Sequence, residues 1–262
     1  MTGKKSEKPK KRAMTSEQAR RVRQAGHNDA KEFALLIGLS NSYQNNPQAK
    51  KDVVDLLGDT HSVKSGKKKW QIFLHSHSRF ERDSFFKRLN GLGSLFLACL
   101  DAFPASFEEY KKNKLSYKEA LQRPMKKLKE RLKNRETLKA FIEKSFFNAG
   151  EVTYLTIKHN GAFHIFYGED VAKTLADNIV VENSKARQSG QLDSQKVIFK
   201  SGGKTIGEIE MRNDSPVHFR EIKFWMQKEK TLDLLQKHIT KKKKLKPKVI
   251  AYGKAIKTFR KY

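Results

Sequence analysis

The chain has 262 residues, and 56 Lys and Arg against 28 Asp and Glu leave a formal charge of +28, far above the roughly 2 to 8 charges usual for a small domain. That surplus calls for a polyanionic partner, and 17 Phe, 7 Tyr and 2 Trp are enough to build a packed core, which excludes disorder. The one cysteine, Cys99, excludes a disulfide framework and a cysteine-based zinc site. No apolar run approaches the roughly 18 residues of a membrane span, so no membrane partner is expected, and the lysine-rich start reads as intracellular rather than secretory.

Residues 1–20 read as a basic flexible tail. A helix is predicted over 16–38, with Ser16 as its N-cap and Phe33, Leu36 and Ile37 at helical spacing. A loop follows at 41–48. A strand is expected from Lys51 to Leu57, a turn at Gly58-Asp59, and a second strand from His61 to Ser65. Trp70 to Leu74 reads as a third strand or the start of a helix. One buried helix is expected over 83–103, and one amphipathic helix over 116–147 opened by Pro124.

Beyond Gly150 the pattern turns to period two. Asn160-Gly161 joins two β-rich runs, the strongest short signal for a hairpin. A short helix is expected at 169–178, a second hairpin around Gly202-Gly203, and EIKFWMQ (221–227) is a strand or a helix ending. Residues 241–262, which hold KKKKLKPK, read as a basic C-terminal tail. The expected organisation is a core at 21–150 and a β-rich portion of the same domain at 151–240. The fold class is α/β (α+β), with a central mixed β-sheet flanked by helices and a β-rich C-terminal half.

Asp52 stands beside Val53 and Val54 on a predicted strand. A carboxylate at the apolar centre of a strand is costly unless it is paired or bound to metal. Ten residues on, past the turn, come Ser62-Val63-Lys64, and the i, i+2 rule points Ser62 and Lys64 to one face. Glu32 lies on the preceding helix, which could pack against this sheet, and Gln71 follows the next turn.

A helix Glu, a strand Asp and an x-Lys on the next strand, carried by AKEFALLIGL (30–39), KKDVVDLLGD (50–59) and HSVKSGKKKWQ (61–71), resemble the PD-(D/E)xK nuclease superfamily, type II restriction endonucleases in particular. The likeness covers about 45 residues. It departs at Lys51, where the family has proline, and at Ser62, where it has a second acid. The resemblance implies a restriction-endonuclease-like core, a Mg²⁺ cofactor and sequence-specific hydrolysis of double-stranded DNA. It implies that Asp52 and the Val63 carbonyl hold the metal, that Glu32 or Gln71 makes up for the missing acid, and that Lys64 orients the attacking water. Asp55 is a weaker candidate, facing away from Asp52. A palindromic target would favour a homodimer. Such an enzyme would work in the bacterial cytoplasm, with a cognate DNA methyltransferase as its functional partner.

Two polar stretches are candidates for reading DNA: 182–196, with Lys185, Arg187 and Gln188, and 207–225, with Arg212, Asn213, His218, Arg220 and Lys223. Glu208 and Glu210 form a rival acidic pair, read as the solvent face of a hairpin. His75 and His77 lack partners in sequence that would complete a metal site. Two further functions stay open: a non-catalytic basic nucleic-acid-binding protein, and a repair or recombination nuclease on the same fold.

Overall fold

The structure is a computed structural model, and it describes residues 15–40, 52–66 and 68–259. The expected tail through residue 14, the loop at 41–48 and Lys51 lie outside the described residues.

The first helix, α1, spans Ser16–Leu36. Its N-cap is Thr15, one residue before the expected Ser16. The Thr15 hydroxyl accepts from the Gln18 backbone N–H, and the Gln18 side chain accepts from the Thr15 N–H, a complete capping box. Strands β1 (Val53–Val54), β2 (Thr60–Lys64) and β3 (Lys69–Ser76) follow. The strand expected from Lys51 to Leu57 is thus only two residues long, because Asp55 already begins the turn. Trp70 to Leu74 resolves as a strand.

Helices α2 (His77–Arg82), α3 (Ser84–Arg88), α4 (Leu92–Asp101) and α5 (Phe107–Lys112) come next. The single helix expected over 83–103 is therefore two. Asn90 and Gly91 take positive φ of 43° and 74°, which no α-helix accommodates. Helices α6 (Lys114–Lys133) and α7 (Arg135–Phe147) replace the single helix expected over 116–147. Pro124 sits inside α6 rather than opening it, and the chain breaks at Asn134, which caps α7 by accepting from Thr137 N–H at 2.9 Å.

The remaining elements are β4 (Tyr154–His159), β5 (Ala162–Tyr167), α8 (Gly168–Asn178), β6 (Val180–Asn183), β7 (Lys196–Ser201), β8 (Lys204–Arg212), β9 (Glu221–Gln227), α9 (Lys228–His238), β10 (Lys242–Lys246), β11 (Val249–Tyr252) and α10 (Ala255–Thr258). Asn160 and Gly161, both at positive φ, make the β4–β5 turn as expected. The stretch read as a basic C-terminal tail instead contributes two strands and a helix. Alternating apolar residues Val249 and Ala251 draw β11 into the core, and β10 pairs along it.

Two sheets result. The six-stranded sheet runs β1-β2-β4-β5-β11-β10 and is mixed, with β2/β4 and β5/β11 parallel. The five-stranded sheet runs β3-β9-β8-β7-β6, all antiparallel. The chain is an α/β fold with a central mixed sheet flanked by helices. Alternation along β4 and β5 sends side chains to both faces. Tyr154, Phe163 and Ile165 meet Ala30 and Phe33 of α1 and its C-cap residue Ile37. Leu155, Ile157 and Phe166 join the larger core with α4, α6, α7 and the inner face of the second sheet. The chain crosses between sheets in the short link after Lys64, where Gly66 has φ 86° and Trp70 Nε1 donates to the Ser65 carbonyl at 2.9 Å.

Candidate active site

The β1–β2 hairpin is built around two buried polar side chains. Asp55 Oδ1 accepts from the Leu57 and Asp59 N–H groups at 2.9 and 3.0 Å, which closes the turn at Gly58, φ 84°. His61 is fully buried against Phe33, Tyr154 and Phe259. Its ring nitrogens lie 3.0 Å from Thr156 Oγ1 and 3.4 Å from Asp55 Oδ2. Burial lowers the pKa of His61 against the pull of Asp55 and Asp59. Asp55 and His61 are thus the frame of the hairpin.

Asp52 stands at the mouth of this hairpin. Its N–H donates to the His61 carbonyl at 2.9 Å. Its Oδ2 accepts from the Val63 N–H at 2.7 Å and from the Ser62 hydroxyl at 3.4 Å. Burial raises the Asp52 pKa, and outweighs the lowering by Lys64, by the Val63 and Ser62 hydrogen bonds and by His27. Asp52 immediately precedes β1 and reaches Ser62 and Val63 through its side chain, and Lys64 is two residues beyond Ser62 on the same face of β2. So Asp52, Ser62, Val63 and Lys64 meet at one corner. The N–H and carbonyl of one strand residue point to the same side, so the Val63 carbonyl faces the edge where its N–H meets Asp52. A partly desolvated carboxylate beside a peptide carbonyl is an oxygen donor set that suits Mg²⁺, which keeps several waters and takes few protein ligands.

Glu32 and Gln71 are placed elsewhere. Helix α1 packs over β1 and β2 as expected, but Glu32 Oε2 is 2.5 Å from Lys158 Nζ on β4, which also holds Asp29 Oδ1 at 2.6 Å. Burial opposes the Lys158 charge, yet the two carboxylates raise its pKa. The Asp29–Lys158–Glu32 group is therefore a satisfied ion cluster that pins α1 to the sheet. Sequence reasoning missed Lys158 and Asp29, although Asp29 and Glu32 stand at i, i+3 on one helix face. Gln71 belongs to the other sheet, exposed on β3 opposite Trp225.

The candidates for reading DNA gather at the far side of the second sheet. Lys118, Gln195 and Lys196 line two adjoining recesses, of about 290 and 370 Å³. Arg212 and Asn213 border one, and Lys185 and Arg187 the other. Gln188 is exposed on the same loop, which closes through Arg187 N–H on Gln191 Oε1 at 3.1 Å. The other three, His218, Arg220 and Lys223, are engaged within the fold, as is Arg212. Arg212 clamps Asp214 with two hydrogen bonds of 2.8 and 3.1 Å. His218 meets Glu221 at 2.9 Å, and Arg220 holds the Leu100 carbonyl and Asp101. Lys223 lies 3.5 Å from Glu210.

Glu208 and Glu210 grip Lys196 at 2.9 and 2.6 Å across the outer face of the sheet. Their carboxylates are neutralised there, which fits the solvent-face reading. His75 stacks on Phe73 at 4.4 Å, and His77 lies between Glu81 and Asp101 at 3.3 and 3.1 Å. Among the described residues no group of three or more His, Cys, Asp or Glu side chains is arranged to hold a metal ion. Nor is any described helix long and apolar enough to cross a membrane. Comparison with protein-family models, with curated proteins and with solved structures found no match.

Proposed function

We propose that the chain is a Mg²⁺-dependent endonuclease that cuts double-stranded DNA at specific sites, a type II restriction enzyme of the PD-(D/E)xK kind. One observation carries the reading: the half-buried Asp52 carboxylate, hydrogen-bonded to the Val63 N–H, at one corner with Ser62, the Val63 carbonyl and Lys64. Burying a carboxylate at the end of a two-residue strand costs stability. A site that takes up a divalent cation and a phosphate gives that cost a use.

Asp52 and the Val63 carbonyl would hold the cation, with water completing the shell. Mg²⁺, when bound, supplies Lewis acidity at the scissile phosphate and makes a bound water more acidic. Lys64 would orient the attacking water and stabilise the charge that develops on the phosphate oxygens. Ser62, a hydroxyl in the place of the second acid, would steady Asp52 through its hydrogen bond. The basic and amide side chains around Lys196 would read bases or hold phosphates. The enzyme would act in the bacterial cytoplasm, as a homodimer on a palindromic site, beside a methyltransferase that protects host DNA.

The test is incubation with plasmid DNA and Mg²⁺, followed by a gel. Discrete bands are expected from the parent chain. Asp52→Ala and Lys64→Ala should each cut at least about 10²–10³-fold more slowly while still binding DNA. Equal cutting by both variants would remove the site assignment. Binding without any cutting by the parent would favour a purely binding protein.

A further inference from the structure

Helix α1 has 21 residues, about 31 Å at 1.5 Å per residue. Its buried positions are Ala30, Phe33 and Ala34. Every residue from Thr15 to Ala25 is exposed, Val22 at 60%. The packed half therefore carries an overhang of about 15 Å into solvent.

This overhang is built to stay helical. The capping box at Thr15 and Gln18 closes its end. Glu17 and Arg21 pair at i, i+4, 2.5 Å apart, and Gln24 donates to Asn28 Oδ1 at 3.1 Å. The packed half supplies the nucleus, so each further turn costs only propagation. A mobile tail would need none of these devices.

The overhang also starts at the candidate active site. Helix α1 packs over β1, which follows Asp52, and over β2, which carries Ser62 to Lys64, and His27 of α1 is among the groups that lower the Asp52 pKa. Four and seven residues back from His27, on the same helix face, stand Arg23 and Arg20. Neither has a carboxylate at ion-pair distance among the described residues. Arg21, on another face, is already engaged by Glu17.

We propose that the first three turns of α1 are a rigid phosphate-binding arm, in which Arg20 and Arg23 grip the backbone of double-stranded DNA next to the bond held at Asp52 and Lys64. The proposal rests on the DNA-cleaving reading of the hairpin. Its partner follows from charge: one duplex strand presents a phosphate about every 3.4 Å of axis, so about 15 Å of arm spans about four of them. The lone exposed Val22 gives the arm no apolar face for a second copy of the chain.

The test uses the full-length chain and a 30-bp duplex in EDTA, so that binding is read without cutting. Anisotropy titrations over a range of KCl give the slope of log affinity against log salt. The Arg20→Ala/Arg23→Ala double variant should flatten that slope by about 1.8, two contacts at about 0.9 each, and weaken binding to all sequences alike. Arg21→Ala should change it much less. Circular dichroism checks that the variants fold. An unchanged slope in the double variant overturns the arm, whether or not the parent cuts DNA. So does an equal effect of Arg21→Ala, or a change in oligomeric state in place of the slope change. Failure of the parent to cut plasmid counts against the nuclease reading and leaves the slope measurement standing.

Discussion

Burial raises the pKa of Asp52, so at pH values between the ordinary and the raised native pKa the native fold holds a proton there that the unfolded chain has released. An ordinary Asp titrates near pH 3.9. As pH rises from that value through the raised native value, the unfolded state gains, and the native state loses stability that it does not recover at higher pH. Asp52→Asn removes the charge and keeps an oxygen to accept from the Val63 N–H. At pH 7 this variant should be more stable by about 1 kcal/mol, about 2 °C in Tm, and the gain should vanish as pH falls below the ordinary value. Mg²⁺ should raise the Tm of the parent and not of the variant. Thermal melts at several pH values, with and without Mg²⁺, check both halves; a less stable Asn variant would mean that Asp52 is structural. The corner at Asp52, Ser62, Val63 and Lys64 was legible in the sequence because a two-strand hairpin fixes its own register locally. Glu32 and Gln71 were not, because their placement depends on β4 and β9, which enter the sheets about a hundred residues or more later.

At the scale of elements, hidden breaks are what sequence patterning passes over. Leu121, Met125, Leu128 and Leu132 keep the apolar stripe of α6 continuous through Pro124, so packing overrides a residue that lacks the N–H for its turn and crowds the preceding one. Ala at that position restores the hydrogen bond to the Ala120 carbonyl. Against a penalty of about 3 kcal/mol for interior Pro stands the added freedom of the unfolded chain, up to about 1 kcal/mol. Pro124→Ala should therefore stabilise the protein by about 2 kcal/mol, seen as a higher urea midpoint at constant m-value. No gain would show that α6 bends at Pro124 in a way the core requires. The 83–103 segment shows the converse. Its apolar residues run on, but Asn90-Gly91, a turn pair by local chemistry, wins over periodicity. The C-terminal segment misleads by charge. Four successive lysines read as a solvated tail, yet an edge strand exposes both faces and tolerates them, and such charge guards an edge against pairing with other chains.

At the scale of the molecule, the order of elements along the chain differs from their order in space. The change to a β-rich pattern after Gly150 suggests a boundary there, but both sheets are assembled from both sides of it. Strand β2 has β1 and β4 as neighbours, and β3 pairs with β9. The helices contributed by the first part find their cover in the second: Phe141 of α7 lies 5.2 Å from Phe224 and 6.3 Å from Phe199. A fragment of residues 1–150 would keep β2 paired only to the two-residue β1. It would leave all eight residues of β3 without a ladder and expose Phe73, Phe141 and Phe146. A fragment of residues 151–262 would keep most of its strand pairs but lose α6 and α7 from the inner face of the second sheet. Two-sided burial is what stabilises β4 and β5, so their loss of α1 on one face and α7 on the other removes apolar cover that no remaining element replaces. Each fragment expressed alone should therefore show no cooperative thermal transition and should expose apolar surface to a dye such as ANS. The full chain should melt in a single transition despite its length. A sharp independent melt of the 151–262 fragment would establish a separate domain and move the boundary of the folding unit to Gly150.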